Sequence, residues 1–166
     1  MSITTPDPKP SRVLPPLPEE LVSSSTFLLK RLGFAAKEKS MAAYEAEGVH
    51  PYHVAILLAL DEGKHETQGA IADMLGYDRG QLVGLLDELE EKGLVERRRD
   101  PNDRRRHLVQ TTPEGKRALR RLRTLARQVE NDFLAPLSEA ERAELHALLL
   151  RLAEKHEPRC APIPRQ

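Results

Sequence analysis

Six arginines fall within the ten positions from Arg97 to Arg106: Arg97, Arg98, Arg99, Arg104, Arg105 and Arg106. Guanidinium groups this close repel one another unless acids or an outside anion pair with them. A nucleic-acid backbone would relieve that repulsion and release counterions. An arginine at a loop tip could also enter a narrow minor groove, where negative potential is concentrated. The bland alternative is a solvated hairpin in which Asp100 and Asp103 pair locally. Further back in the chain, Asp78 is followed by Arg79, Gly80 and Gln81. Arg can donate two hydrogen bonds to guanine, and Gln can pair bidentately with adenine. One group of residues suits phosphate contact and the other suits base reading.

The charge balance supports a single basic surface. The whole chain of 166 residues has zero formal net charge. From Lys92 to Arg121, however, eleven Lys and Arg face four acids, while from Asp61 to Glu91 nine acids face two bases. A neutral total with one concentrated basic segment fits a protein that touches phosphate on one side only. The single cysteine, Cys160, excludes an internal disulfide. With no signal-peptide-like apolar run and no membrane-length apolar run, the expected location is cytoplasmic, without membrane contact.

The elements that must position these residues are largely helical. Residues 1–18 hold six of the thirteen prolines and read as a flexible arm; residues 158–166 read as a tail. A single domain is expected over 19–157. Leu21, Leu28, Leu32, Ala35 and Ala42 predict a first helix from Glu19 to Ala46. His50 and Pro51 open a nearly all-apolar, buried second helix. Thr67 caps a short third helix that stops at Gly76, and Asp78 caps a fourth. In the fourth, Leu82, Leu85, Leu86 and Leu89 define one apolar face. The period then changes. Leu94 to Arg99 and Arg106 to Thr111 predict two strands around the turn Asp100-Pro101-Asn102-Asp103. Thr112-Pro113-Glu114 starts a fifth helix, and Ser138 with Glu141 forms the capping box of a sixth.

Two short helices joined by Gly76-Tyr77 form a helix-turn-helix pattern, with the outer face of the fourth helix free for a major groove. Gly80 and Gly84 lie inside that helix at a cost of about 0.5–1 kcal/mol each relative to alanine. They allow close approach either to DNA or to a neighbouring helix. The acids Asp87, Glu88, Glu90 and Glu91 read as a solvated face.

The run LLDELEEKGLVERRRDPNDRRRHLVQTTPEG, from Leu85 to Gly115, resembles the MarR (multiple antibiotic resistance regulator) family, and the likeness extends from about Pro51 to Leu119. The resemblance implies a mainly α winged helix-turn-helix fold with six helices and a small β-hairpin wing. The lobe 51–111 would face DNA, and 19–48 with 113–157 would build a homodimer. Its Asp-x-Arg wing pattern falls on Asp103 and Arg105, so Arg105 would reach the minor groove with Asp103 bracing it. It further implies a pseudo-palindromic operator and a small aromatic or anionic effector, commonly phenolic, bound between the dimer helices and the DNA-binding lobe. Departures from the family are Gly80 and Gln81, where Ser or Thr is frequent, and His50, where Thr or Ser is frequent. Family members that sense oxidation carry a cysteine near the N-terminus, which this chain lacks.

The expected DNA-binding residues are Thr67, Gln68, Asp78, Arg79, Gly80, Gln81, Arg98, Arg99, Asp103, Arg104, Arg105 and Arg106. Lys37, His50 and His53 are candidates to hold an anionic ligand. No metal or cofactor is expected: His50 with His53, and His156 with Cys160, have ligand spacing but form no compact cluster. Enzyme motifs are absent from the sequence. The expectation is a DNA-binding regulator, with a ligand-released repressor as its sharpest form. The alternatives are a dimeric interaction module without DNA binding and an effector-independent regulator.

Overall fold

A computed structural model describes residues 15–63, 66–103 and 106–160. Arg104 and Arg105 lie outside them. The chain divides into two compact units, one up to Ala35 and one from Ala36 onward.

The first unit contains α1 (Glu19–Val22) and the beginning of α2 (Ser25–Ala46). The expected continuous helix from Glu19 to Ala46 is therefore broken, which makes seven α-helices among the described residues instead of six. Serine chemistry explains the break. The Ser23 hydroxyl donates back to the Glu20 carbonyl at 3.0 Å, and the Ser24 hydroxyl accepts from the Phe27 amide at 3.4 Å. Such local bonds compete with helix continuation and then cap its restart. Leu28, Leu29, Leu32 and Phe34 remain exposed on this unit.

The second unit holds α3 (Pro51–Glu62), α4 (Gln68–Leu75), α5 (Arg79–Glu91), α6 (Pro113–Phe133) and α7 (Glu139–His156). Its strands are β1 (Glu66–Thr67), β2 (Val95–Arg99) and β3 (His107–Thr111), in the antiparallel order β1-β3-β2. The two hairpin strands start one residue later than the sequence suggested, and the short β1 had no periodic signal. A short 3₁₀ turn, Pro158–Cys160, follows α7. Among the described residues, no helix is long and apolar enough to cross a membrane.

The core is aliphatic. Ile56 and Leu57 of α3, Ile71 of α4, Leu82, Leu86 and Leu89 of α5, Val95, Val109 and Leu119 are all fully buried. The apolar run of α3 is thus the central element, as its composition requires. Helix starts follow capping chemistry. Thr67, Asp78, Thr112 and Ser138 each accept from backbone amides one turn ahead.

The start of α6 is pressed against the start of β2. Thr112 donates its amide to the Leu94 carbonyl and its hydroxyl to the Gly93 carbonyl, at 3.1 and 2.6 Å. A Cβ on Gly115 would stand 2.0 Å from the Leu94 carbonyl oxygen. Backbone cannot yield there without moving the wing. Gly115→Ala is expected to destabilise the fold by about 1–3 kcal/mol, read as a lowered midpoint in urea unfolding.

Candidate nucleic-acid interface

The helix-turn-helix consists of α4, a turn at Gly76 and α5. Gly76 adopts φ +68°, and Tyr77 donates to the Ala72 carbonyl at 3.0 Å, a left-handed stop that glycine accepts without strain. The Arg159 guanidinium donates to the Met74 carbonyl at 2.6 Å, so the segment after α7 covers the same turn. Tyr77 packs edge-on against Tyr52, with ring centroids 5.2 Å apart. Burial, more than the nearby Tyr52, raises the Tyr77 hydroxyl pKa above its ordinary value.

At the start of α5, one Asp78 carboxylate oxygen accepts from the Gly80 and Gln81 amides at 2.8 and 3.2 Å. Asp78 is therefore engaged in the cap. Arg79, Gly80 and Gln81 are exposed beyond it. A Cβ on Gly80 would meet only the Asp78 carboxylate, and one on Gly84 would meet nothing within 4 Å. Packing against a neighbouring helix of this chain therefore does not account for Gly84.

Four of the sequence-predicted residues converge. A cleft of about 540 Å³ is lined by Thr67 and Gln68 at the start of α4, Arg79 at the start of α5 and Arg106 beside β3. Gly69, Ala70, Asp73 and His107 complete it. The Thr67 hydroxyl accepts from the Ala70 amide at 3.2 Å. Two cations thus flank a helix N-terminus with its amides and positive dipole end, an arrangement suited to phosphate.

The arginine hairpin is less uniform than its composition implied. Strand alternation places Arg97 on the same face as the buried Val95, and Glu96 with Arg98 on the other. Arg97 reaches α5, where its Nε lies 2.9 Å from Glu90 Oε2 and its Nη2 lies 2.6 Å from Asp87 Oδ1. The Arg97 amide also donates to Glu90, at 3.1 Å. Arg97 is therefore a brace between wing and α5. Arg98 pairs with Glu96 at 2.8 Å, Arg99 is exposed, and Asp103 pairs with Arg106 at 3.3 Å. Asp100 instead accepts from the Asn102 amide. The expected bracing of Arg105 by Asp103 lies outside the described residues. The acidic run on α5 is also not a uniform solvated face, because Asp87 and Glu90 hold Arg97 and Glu88 approaches His53. Strand-to-helix register decides this, and the sequence does not print it.

The proposed ligand residues are dispersed. Lys37 is exposed on α2. The His50 ring caps α3 by accepting from the Tyr52 amide at 3.3 Å. His53 is buried one turn on, its ring 6.3 Å from that of His50. None of the three lines the cavity of about 390 Å³ between the later part of α2 and α6, which Ser40, Tyr44, Ala126 and Phe133 help to form.

Comparison with known proteins decides the family. Residues 47–106 match the MarR family model. A putative transcriptional regulatory protein for the hcr operon of Thauera aromatica is 36% identical over 80% of this chain and 84% of its own length. The chain belongs to the MarR family of transcription regulators. The transcriptional repressor CouR bound to a 23-mer DNA duplex is 32% identical with a TM-score of 0.71, over 81% of this chain and 96% of that one. CouR from Rhodococcus jostii RHA1 bound to p-coumaroyl-CoA is 28% identical with a TM-score of 0.65, over 82% and 96% of the two chains. This MarR-family chain is thus a regulator and not an enzyme.

The wing brace sets two expectations. Hydrogen bonds from Arg97, more than the opposing effect of burial, hold the Glu90 carboxyl below its ordinary value of 4.5. A depressed carboxyl stabilises the fold above that value and loses its contribution as pH falls below it. Acid unfolding of Glu90→Gln is accordingly expected to be less steep with pH than that of the unsubstituted protein. Arg97→Ala should cost about 1–3 kcal/mol in chemical denaturation, because it leaves two carboxylates facing each other without their cation.

Proposed function

We propose that this protein is a homodimeric repressor that sits on a pseudo-palindromic operator and is released by a small phenolic or otherwise anionic ligand. The carrying observation is the convergence of Thr67, Gln68, Arg79 and Arg106 on one cleft beside the exposed start of α5. In this reading Arg79 and Gln81 read base edges in the major groove. Thr67, Gln68 and the cations Arg98, Arg99 and Arg106 contact the backbone, and Arg104 and Arg105 carry the wing tip into the minor groove. Asp78 and Gly80 shape the helix start that approaches DNA, and Asp103 orients the wing arginines. The likeness to CouR, whose structure holds DNA, supports the same role for the equivalent lobe.

Dimerisation is supported by apolar side chains that a lone chain leaves in water. Leu148, Leu149 and Leu152 on α7 are 47%, 40% and 46% exposed. Leu28, Leu32 and Phe34 on the first unit are exposed as well. Clusters of this kind mark contact surfaces.

For the effector, the cavity lined by Ser40, Tyr44 and Phe133 has the size of a small-molecule site, with aromatic and hydroxyl groups for an aromatic ring. Lys37 lies on the helical stripe of Ser40 and Tyr44, one turn earlier, and is the cation assigned to the anionic group. His50 and His53 have ring nitrogens engaged at the start of α3, and they would join the ligand only if that turn opened.

Genomic fragments captured by the purified protein, followed by a salt titration, test the DNA reading. An enriched pseudo-palindrome with affinity falling steeply with salt is expected; no enrichment by a folded dimer overturns it. Arg106→Ala should lower affinity and reduce the salt slope by about 1. Phenolic acids and their CoA thioesters, titrated against the complex, should include a releasing compound. Lys37→Ala should weaken release with operator affinity unchanged.

A further inference from the structure

His53 is the one polar residue buried in the core among the described residues, with 2% of its surface exposed. It stands in the first turn of α3, facing α5. Its Nδ1 accepts from the His50 backbone amide at 3.2 Å. A neutral imidazole that accepts at Nδ1 carries its proton on Nε2. That Nε2 lies 3.0 Å from a Glu88 carboxylate oxygen on α5, close in distance but poorly aligned, so the buried nitrogen has no well-formed hydrogen bond. A buried polar atom in that position asks for a reason beyond packing.

We propose that His53 is a positioning residue for the recognition helix: its neutral form completes the cap at the start of α3 beside Glu88 of α5, and protonation breaks that cap, draws the ring toward Glu88 and lowers operator affinity. The proposal rests on α5 being the helix that reads DNA. The imidazolium has a proton on both nitrogens. Its Nδ1–H would face the His50 N–H, donor against donor, so the cap at the start of α3 is lost as the charge is gained. The Glu88 carboxylate then attracts the ring toward α5. At this level α5 is flanked on two sides, by His53 beside Glu88 and by Arg97, which holds Asp87 and Glu90. A shift here moves Arg79 and Gln81, roughly two turns away along a rigid helix.

The charged neighbours support the direction. Burial is the largest influence and lowers the His53 pKa from its ordinary 6.5; Glu88 opposes it, and His50 and Lys92 add to the lowering. A depressed histidine keeps its contribution above the ordinary value and loses it as pH falls below.

The test compares the wild type, His53→Gln, His53→Ala and Glu88→Gln on the captured genomic fragment and on a random duplex of equal length, between about pH 7.5 and about pH 5.5. Glutamine can accept from the His50 amide and donate toward Glu88, and it does not titrate in this range. The wild type is expected to lose operator affinity relative to the random duplex on acidification, by at most about tenfold per pH unit. His53→Ala should bind the operator weakly at both ends of the range. His53→Gln should restore binding at neutral pH and remove the acid loss, with circular dichroism unchanged across the range. Glu88→Gln leaves the buried ring intact and should move the midpoint of the loss to lower pH. Parallel acid loss in the wild type and His53→Gln overturns the positioning role. If His53→Gln does not fold, an unmoved midpoint in Glu88→Gln overturns it. Absence of operator binding by the wild type at about pH 7.5 overturns the DNA reading itself, and the proposal with it.

Discussion

Leu82, Leu86 and Leu89 bury one side of α5 almost completely, and each such side chain contributes about 1.5–3 kcal/mol relative to exposure. That burial fixes the rotation of the helix about its axis. With the leucines facing α3, Arg79, Gln81 and Gly84 have to face outward. The other contacts of the lobe refine this commitment. Asp78 sets where the helix starts, Lys92 and Gly93 set where it stops, and the acids flanking the leucine face reach sideways to Arg97 and His53.

The wing is attached to this helix through the same logic. Val95 and Arg97 share the inner face of β2, and Val109 of β3 lies opposite Arg97. The apolar member joins the core, and the charged member finds two carboxylates at its edge. A planar guanidinium that donates to two acids fixes direction as well as distance, which a lysine would not do. The brace ties β2 directly to α5. Among the described arginines of the basic cluster, Arg97 is the one that joins the wing to α5.

The unit up to Ala35 and helix α7 follow a different rule. Leu28, Leu32 and Phe34 in the first and Leu148, Leu149 and Leu152 in the second stay exposed, in contrast to the closed core of the helix-turn-helix lobe.

The sequence by itself determined the order of the helices from α3 onward and of the two hairpin strands, their caps and the family. Thr67, Asp78, Thr112 and Ser138 cap as their types require, because capping is a local interaction within one turn. The leucine period gave the inner face of α5 for the same reason. The break at Ser23 and Ser24 did not show in the apolar spacing, because the hydroxyl bonds that stop α1 leave no periodic trace. Tertiary structure alone decided the partners. Arg97 is indistinguishable from Arg98 in composition, yet strand alternation turns one toward Asp87 and Glu90 and the other toward Glu96. Gly115 is required by a contact distant in sequence, the Leu94 carbonyl against its α-carbon. His53, a ligand candidate by sequence, is carried into the core because the apolar face of α3 packs on α5 with that turn included. Local bonds follow from neighbours in the chain, whereas ion pairs and buried polar contacts depend on which faces meet, and that is settled only when the core closes.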